Sequence, residues 1–482
     1  MSITVEQGHR VQEGNLSDLP RNIKYRRHQA WKNWGQTAHC KPEFSFYPKR
    51  LEDLIQIVNF ARNRGRKIRV AASGHSWSTL VPTDDILVYV HGLNKVDMDF
   101  SDTEHPRVVM ECGATVQEVN DVLEQHGYAL PLNVVLESVR FGGLIATGSH
   151  GSGWENSTLS DLVYAVDVVT ASGEVRRFET GVDDEDVMRA VRLNLGMFGI
   201  MHRISMNVQK NWHVRARDQR LPIADVMNNL QEWVPSNDNM DLFWWPFSDQ
   251  LWVKSWHRID APITAKPRKS LNDRIGTTLS AQFYRQSLRT MKTFPRSTPN
   301  VSRMLFNYTP SVGDKVVDVV EAIHYRRSIE VAKMGCAEVA FKLDTNFDNV
   351  RWAMQSVFER VNSYARRNEY PMNVTMNVRF IRSSNCWLSP ASGDGHTCYI
   401  EILSFNDQKL WDQFSGEVAS DWMTLPQARP HWAKEFQHIP NIIPLIKKNY
   451  GENIQHFNRI KSQLQVDPHD MFLNPTLKEI FS

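Results

Sequence analysis

Two stretches of small residues mark places where the backbone can come close to a ligand. Residues 71–78 have the sequence Ala-Ala-Ser-Gly-His-Ser-Trp-Ser, and residues 142–153 contain five glycines. Both offer consecutive N–H donors, hydroxyl groups and little side-chain bulk, which is what binding a pyrophosphate requires. Each stretch carries one histidine, His75 or His150. Taken separately, either stretch could equally be a tight turn with only a structural role.

Several common catalytic motifs are absent from the sequence. It contains no GxxxxGK[ST] phosphate loop, no HExxH and no GxSxG nucleophile elbow. No GxGxxG follows a predicted strand, so a Rossmann dinucleotide fold has no support. Any nucleotide held by the two glycine stretches must therefore be bound in another fold.

The composition is that of an ordinary globular protein of two or three units. The 482 residues carry a net charge of +2, which argues against a dedicated nucleic-acid-binding protein. We interpret the basic runs at residues 24–27 and 266–269 as solvated surface. The five cysteines are scattered without CxxC spacing, so neither a metal site nor a disulfide framework is expected. We see no signal peptide and no stretch of about 18 apolar residues, and we expect a cytoplasmic or otherwise soluble protein.

Short helices and strands are predicted on both sides of the glycine stretches. Residues 1–45 are polar and irregular, and the first thirty could be disordered. Thr115 and Glu118 form a capping box that opens a helix closed by Gly127. The periodicity predicts helices at 51–64 and 184–193 and strands at 67–72, 86–91, 107–112, 163–170, 174–178 and 199–208.

After about residue 212 the sequence becomes richer in aromatic strand candidates. The pattern predicts strands at 242–247, 251–256, 333–343, 372–381 and 397–405, and helices at 316–323, 349–362 and in the last thirty residues. Residues 264–300 are predicted to be loop or irregular helix. The fold class is therefore α+β, with a second unit built on an antiparallel sheet.

The motifs together resemble the vanillyl-alcohol-oxidase type of FAD-binding protein, and within it the aldonolactone (gulonolactone and arabinonolactone) and alditol oxidases. The resemblance covers nearly the whole chain and is carried by both glycine stretches and by residues 33–34, 195–200, 243–246, 377–380, 387–390, 429–434 and 467–474. It implies a two-subdomain FAD-binding domain of the PCMH type at 41–211 and a substrate (cap) domain at 212–450. Residues 1–40 would be a lead-in, and residues 451–482 would return to the FAD domain.

The resemblance implies FAD as cofactor, attached covalently through His75 to the flavin 8α-methyl group. Such a tether withdraws electrons from the isoalloxazine and favours hydride acceptance. The alternative is a histidine that caps the pyrophosphate loop without a bond, and we expect His150 to be a structural turn residue. The other cofactor contacts that the resemblance implies are Ala72, Ser73, Gly74, Ser76, Trp77, Ser138, Gly143, Thr147, Gly148, Ser149, Gly151, Ile200 and Asn474.

On the catalytic side, Arg379 and Lys434 match the arginine and lysine of these relatives. The family glutamate is replaced by Asn377, which cannot take a proton at neutral pH. Glu401, set among apolar neighbours on another predicted strand, is our candidate to take over that polar or basic role. The alternative is that Glu401 forms a structural ion pair with Arg379 or Lys434. Val134 falls where relatives carry a smaller residue beside the flavin, which would hinder oxygen.

We therefore expect an FAD-dependent oxidoreductase that takes a hydride from a CH–OH group of an aldonolactone, polyol or related alcohol. Oxygen or another acceptor would reoxidise the flavin. One alternative is that the same scaffold acts as a tailoring oxidase on a different natural product. A second alternative, from another class, is a flavin-binding protein without turnover.

Overall fold

The structure is a computed structural model that describes residues 19–261, 271–325, 333–405 and 408–482. It confirms a mixed α+β fold. The first part of the chain forms the elements β1 (Lys24–Arg27), β2 (Trp31–Lys32), β3 (His39–Cys40), β4 (Phe44–Tyr47), α1 (Leu51–Asn63), β5 (Ile68–Ala71), β6 (Ile86–Tyr89), β7 (Val96–Asp99), β8 (Arg107–Glu111), α2 (Val116–His126), β9 (Tyr128–Ala129), α3 (Phe141–Ala146), β10 (Val163–Val169), β11 (Val175–Glu179), α4 (Glu185–Val191), β12 (Ile200–Asn207) and β13 (Gln209–Lys210).

The later part forms the elements β14 (His213–Pro222), α5 (Ile223–Trp233), β15 (Asn239–Trp244), β16 (Gln250–Ile259), α6 (Leu271–Thr293), α7 (Thr298–Asn307), β17 (Val312–Asp318), α8 (Val319–Ile323), β18 (Met334–Lys342), α9 (Asp348–Arg366), β19 (Met376–Ile381), β20 (Thr397–Phe405), α10 (Trp411–Trp422), β21 (Arg429–Pro430), α11 (Ile442–Tyr450), α12 (Glu452–Leu464) and α13 (Pro475–Phe481).

Three sheets organise these elements. A four-stranded sheet has the order β1-β4-β6-β5, and a five-stranded sheet has the order β11-β10-β12-β8-β7. Strand β5 of the first sheet leads directly into the first glycine stretch. The third sheet has eight strands in the order β17-β14-β16-β15-β19-β20-β18-β21, and every pairing in it is antiparallel.

Side chains alternate in direction along each strand of the large sheet, so its two faces carry different residues. Val378, Ile400 and Val339 are fully buried and belong to the main hydrophobic core of the molecule. The residues between them on the same strands point to the opposite face, because successive side chains of a strand alternate. That second face carries polar and charged side chains next to a separate aromatic cluster. The sheet therefore supports a core on one side and a candidate site on the other.

The C-terminal segment contacts the first part of the chain. The amide of Ile68 donates to Met471 O over 2.9 Å, and the amide of Ala171 donates to Val466 O over 2.9 Å. These bonds fix the end of the chain beside strand β5, from which the first glycine stretch departs. The exact division of the chain into four segments stays a prediction.

Three predictions of secondary structure need correction. The stretch before residue 45 is not irregular throughout, because β1 pairs with β4. A single helix over 316–323 is wrong: β-branched Val316 and Val317 extend β17, and Asp318 caps α8 by accepting from Val320 N. The loop or irregular helix predicted for 264–300 is regular helix in α6 and α7, whereas the basic run at 266–269 lies outside the described residues. In the described ranges no helix has the length and hydropathy to cross a membrane.

The capping box of α2 offers a direct test of the local structure. Thr115 Oγ1 accepts from Glu118 N, and Glu118 Oε2 accepts from Thr115 N over 2.7 Å. Thr115→Ala should lower the free energy of unfolding by about 1 kcal/mol, because an amide at the helix start loses its acceptor. Thr115→Ser keeps the hydroxyl and should stay within about 0.5 kcal/mol of wild type. Urea unfolding measures both, and an equal loss for the two variants would contradict the assignment.

Candidate active site

One cavity of about 720 Å³ joins the glycine stretches to the polar face of the large sheet. Its lining includes His75 and Ser149–Ser152 from the two stretches. It also includes Asn377, Arg379 and Glu401 from the sheet, and Lys434 from the segment after β21. Residues that are far apart in sequence thus face a single volume, which is large enough for a cofactor ring and a substrate.

The first glycine stretch turns sharply after β5 and is hydrogen-bonded to the segment that carries Lys434. Gly74 has φ +65°, a conformation that favours glycine. Its carbonyl accepts from Trp34 N over 2.7 Å, and Trp77 N donates to Ala433 O over 2.8 Å. The second of these bonds holds the loop that bears His75 against the residue that precedes Lys434.

The second glycine stretch lies against the first. A Cβ on Gly142 would lie 2.8 Å from the carbonyl oxygen of Cys112, and a Cβ on Gly143 would lie 3.3 Å from the Cβ of Ala72. Ser73 Oγ donates to Ser138 O over 3.3 Å and so links the two loops. The loops form a cradle of small residues, in which a polar cofactor can come close to the backbone.

The imidazole of His75 faces the cavity in a neutral state. Burial, together with the positive charge of Lys434, lowers its pKa to about 4. The ring stacks on Trp34 with centroids 4.4 Å apart, which fixes its orientation. A neutral imidazole in a fixed orientation is a competent nucleophile at physiological pH.

The register of the large sheet aligns one row of side chains across five strands. Cross-strand pairs run from Trp252 to Phe243, then to Asn377, Glu401 and Glu338. Side chains of directly opposed residues lie within contact distance on one face. The row is therefore aromatic at one end and anionic at the other.

Glu401 is the most connected member of this row. Its Oε1 accepts from the Cys336 thiol over 2.8 Å and also contacts Lys434 Nζ, and its Oε2 accepts from Asn377 Nδ2 over 2.8 Å. Burial, the largest influence, raises the pKa of Glu401, but the positive charges of Lys434 and Arg379 and the hydrogen bond from Cys336 together outweigh it and lower that pKa. Glu401 is thus held as a carboxylate.

Lys434 carries the positive charge at the centre of the site. Its Nζ lies 3.2 Å from Cys336 Sγ, 3.8 Å from Glu338 Oε2 and 4.6 Å from the ring centroid of Trp77. Burial opposes its charge, but the groups around it, Glu401 and Glu338 among them, raise its pKa above its usual range. The ammonium therefore stays protonated within the cavity wall.

Glu338, His150 and His431 form a buried cluster beside Lys434. His150 Nε2 lies 3.3 Å from Glu338 Oε1, and donor atoms of the three residues lie within 4.8 Å of one another. Burial, the largest influence, lowers the pKa of His431 to about 3, so this ring is neutral. The three groups could ligate a cation, but Lys434 already supplies positive charge to Glu338. His150 contacts the site, and so does more than shape a turn.

A second row of the sheet supports Arg379. Asp241 lies opposite Arg379 on one side and Lys254 on the other, and Lys254 in turn lies opposite Asp218. Arg379 Nε is 4.0 Å from Asp241 Oδ1, and Lys254 Nζ donates to Asp218 Oδ1 over 2.6 Å. Burial opposes the charge of Arg379, yet the carboxylates of Glu401 and Asp241 raise its pKa. Alternating charges along this row keep the guanidinium fixed.

The structure places the predicted site residues in two groups. Those that line the cavity are His75, Trp77, Ser149, Gly151, Asn377, Arg379, Glu401 and Lys434. The others predicted as cofactor contacts, which lie outside that lining, are Ala72, Ser73, Gly74, Ser76, Ser138, Gly143, Thr147, Gly148, Ile200 and Asn474. Ile200 is fully buried in β12, and Asn474 caps α13 while its Nδ2 donates to Thr79 O over 2.8 Å.

Sequence reasoning missed the residues that complete the charge balance. Glu338 and Cys336 lie two positions apart on β18, and Asp241 lies on β15. A carboxylate set among apolar strand residues was the available signal at Glu338, the same signal that singled out Glu401. His431 belonged to a recognised motif, but only its neighbour Lys434 was given a role.

The fold, the cradle and the cavity define a flavin-dependent oxidoreductase. An FAD-binding domain profile matches residues 42–179. Cholesterol oxidase from B. sterolicum has the same fold, with a TM-score of 0.77 at 16% identity over 97% of this chain and 99% of that one.

The D-arabinono-1,4-lactone oxidase profile matches residues 204–480, more than half of the sequence, and the chain belongs to that family. It is 26% identical to an L-gulono-1,4-lactone dehydrogenase of Mycobacterium tuberculosis strain H37Rv over 93% of this chain and 98% of the relative. It is 25% identical to an L-gulonolactone oxidase of Scyliorhinus torazame over 94% of this chain and 98% of the relative.

Removal of the central ammonium should reverse the direction in which Glu401 makes stability depend on pH. In wild type, the lowered pKa of Glu401 stabilises the fold above the unfolded-state pKa, and this contribution is lost as the pH falls through the folded-state value. In Lys434→Met, burial and Glu338 raise the pKa of Glu401, so that its contribution is lost as the pH rises. We expect Lys434→Met to lower the free energy of unfolding by about 3–5 kcal/mol at pH 8 and by less at pH 5, measured by urea unfolding.

The matched control is Lys447→Met, which removes an exposed ammonium from α11. It should change stability by less than about 0.5 kcal/mol at both pH values. If Lys434→Met has the same cost at pH 5 and pH 8, Lys434 does not hold Glu401 in its ionised form.

Proposed function

We propose that this FAD-dependent oxidoreductase oxidises a CH–OH group of a small-molecule alcohol to a carbonyl. The observation that carries the proposal is that the ionised Glu401, the ammonium of Lys434 and the guanidinium of Arg379 face the same cavity as His75. Bound FAD accepts the hydride that leaves the carbinol carbon, and oxygen or another acceptor later reoxidises it. Aldonolactones are among the candidate substrates that we propose, because relatives of this chain are named for them.

Glu401 receives the hydroxyl proton in this proposal. A carboxylate has about four lone-pair positions, and Lys434, Cys336 and Asn377 occupy three of them. The remaining position can accept a hydrogen bond from one substrate hydroxyl. A carboxylate of lowered pKa is a weak base, but the hydroxyl becomes strongly acidic as the hydride departs. Glu401 can therefore take the proton that Asn377 cannot.

Lys434 and Arg379 supply fixed positive charge. Both stay protonated throughout the neutral range, because the carboxylates around them raise their pKa values. Preorganised charges in a site that excludes water stabilise developing negative charge without reorganisation. We propose that these two side chains offset the charge that reaches the cofactor and orient the substrate oxygen.

His75 is the proposed attachment point for the cofactor. Its neutral imidazole, stacked on Trp34, faces the cavity at the tip of the first glycine stretch. The remaining predicted cofactor contacts belong to the two glycine stretches, except for Ser138, which precedes the second stretch, Ile200 in β12 and Asn474 before α13. Val134 also lines the cavity, and its bulk favours an acceptor other than oxygen.

A tailoring reaction on a different natural product is the second candidate. Asn377 in place of the family glutamate favours it, because the proton acceptor then comes from a different strand. A flavin-binding protein without turnover is less well supported, since such a protein has no need for three ionised side chains around one cavity.

The covalent link can be tested by precipitation. The wild-type holoprotein should give a yellow pellet in trichloroacetic acid, with the flavin band retained after the pellet is redissolved. His75→Ala should bind FAD without the bond, so that the colour passes into the acid supernatant. His91→Ala, which removes an exposed ring that contacts Tyr47, serves as the control and should behave as wild type. A wild-type pellet without colour would show that His75 only packs against the cofactor.

The role of Glu401 can be tested by flavin reduction. Glu401→Gln should slow anaerobic flavin reduction by an alcohol substrate by about 10²-fold or more, because the proton acceptor is lost. The control is Glu435→Gln, which alters a buried carboxylate that bonds Cys336 N and Trp411 but does not line the cavity. Stopped-flow absorbance near 450 nm measures both rates, and an unchanged rate for Glu401→Gln would exclude Glu401 as the acceptor.

A further inference from the structure

The cavity continues from Glu401 to a set of rings that the catalytic steps do not use. We call this set the aromatic wall, and it consists of Phe243, Trp245, Trp252, Tyr284 and Tyr325, all of which line the cavity. The ring centroids of Phe243 and Trp252 are 5.0 Å apart. The ring centroid of Tyr325 is 6.1 Å from that of Phe243 and 6.0 Å from that of Trp252. These rings offer a broad apolar contact surface.

Sheet register fixes the aromatic wall at a defined place relative to the reacting group. Phe243 lies directly opposite Asn377, which lies directly opposite Glu401, and Trp252 is the next residue beyond Phe243. Adjacent strands are about 4.8 Å apart, so Trp252 lies about 14 Å along the row from Glu401. A molecule with its hydroxyl at Glu401 that extends along this row therefore meets the aromatic wall.

The polar end of the row has few free hydrogen-bonding positions. It therefore suits a substrate with one hydroxyl better than a substrate with several. Three of the four lone-pair positions of Glu401 are occupied by protein donors. Asn377 Oδ1 is the remaining side-chain acceptor there, a buried atom with no partner among the described residues. Along the aromatic wall, Trp252 Nε1 is a buried donor with no hydrogen-bond partner among the described residues, so a polyol would find one hydrogen bond there. Its other hydroxyls would lie unpaired against ring faces, and each unpaired hydroxyl costs binding energy.

The rim of the cavity supplies a second, independent observation. Phe283 and Tyr308 line the opening, their ring centroids are 4.9 Å apart, and they are 39% and 70% exposed. Large exposed rings at a cavity mouth mark a binding surface for an apolar group. Aromatic rings thus line both the entrance and the inner wall of the cavity.

We propose that the substrate is a hydrophobic, ring-containing alcohol with a single reacting hydroxyl. The hydroxyl binds at Glu401, and the ring body packs against the aromatic wall. This inference rests on the proposed function and narrows its substrate class from small-molecule alcohols in general to alcohols with an apolar body. The oxidation itself is unchanged: the carbinol loses a hydride to the flavin and a proton to Glu401, and the product is a ketone or aldehyde.

The test uses a series of alcohols that differ only in apolar length. Cyclohexanol, 4-ethylcyclohexanol and 4-butylcyclohexanol are compared with L-gulono-1,4-lactone and D-sorbitol on the holoprotein. Dissociation constants come from the change in flavin absorbance on binding, and anaerobic reduction near 450 nm reports turnover. Affinity should rise about tenfold for each added pair of methylenes, because each buried methylene contributes about 0.8 kcal/mol.

Variants locate the binding of the apolar body. Trp252→Ala should weaken binding of 4-butylcyclohexanol by about tenfold or more and leave the dissociation constant of the lactone within twofold. Trp352→Ala, which removes a 45% exposed indole from α9, is the matched control and should change neither constant. If Trp252→Ala does not fold, Phe243→Leu tests the same contact with a smaller change in volume.

The outcomes separate this inference from the proposed function. Affinity that is flat along the series, together with tighter binding of the lactone or sorbitol, overturns the apolar substrate class and leaves the oxidation standing if either compound bleaches the flavin. Affinity that rises along the series without bleaching by any compound supports the aromatic wall as the binding surface and contradicts the proposed oxidation. Rising affinity with bleaching supports both.

Discussion

The ion pairing of the partly buried Lys434 ammonium with Glu401 and Glu338 is the interaction on which the site depends. The ammonium lies within 4 Å of Glu338 and Cys336 and in contact with Glu401. Two carboxylates this close would repel each other in a site of low dielectric, and one would be protonated without the cation between them. Lys434 is the one cation that lowers the pKa of both carboxylates most strongly, and Arg379 acts with it on Glu401 and His150 acts with it on Glu338.

The eight-stranded sheet makes this charge arrangement possible. Its far face packs into the main core, so each strand is held in register and each polar side chain on the near face starts from a fixed position. The loop that carries Lys434 is bound on both sides: His431 N donates to Glu338 O over 3.0 Å, and Ala433 O accepts from Trp77 N. The first glycine stretch, the segment that carries Lys434 and the large sheet therefore form one connected unit.

The register also brings Asn377 and Glu401 side by side. The two residues form a directly opposed pair, so position 401 lies only one strand spacing from position 377. Glu401 contacts Lys434, lines the same cavity as Asn377 and accepts from Asn377 Nδ2. The sheet therefore sets an acidic side chain from a neighbouring strand next to Asn377.

The sequence alone determined the α+β class, the capping box at Thr115, the two glycine stretches and the FAD-dependent family, because these features rest on local spacing and on motif order. It also singled out Arg379, Lys434 and Glu401. It did not show that Glu401 contacts Cys336 on β18 and Lys434 after β21, because these residues, 65 and 33 positions away in sequence, reach it only in the folded chain. Glu338, Asp241, Phe243 and Trp252 joined the site through strand register. His150, Trp245, Tyr284 and Tyr325 reach it from loops and a helix, so only the tertiary structure brings these side chains together.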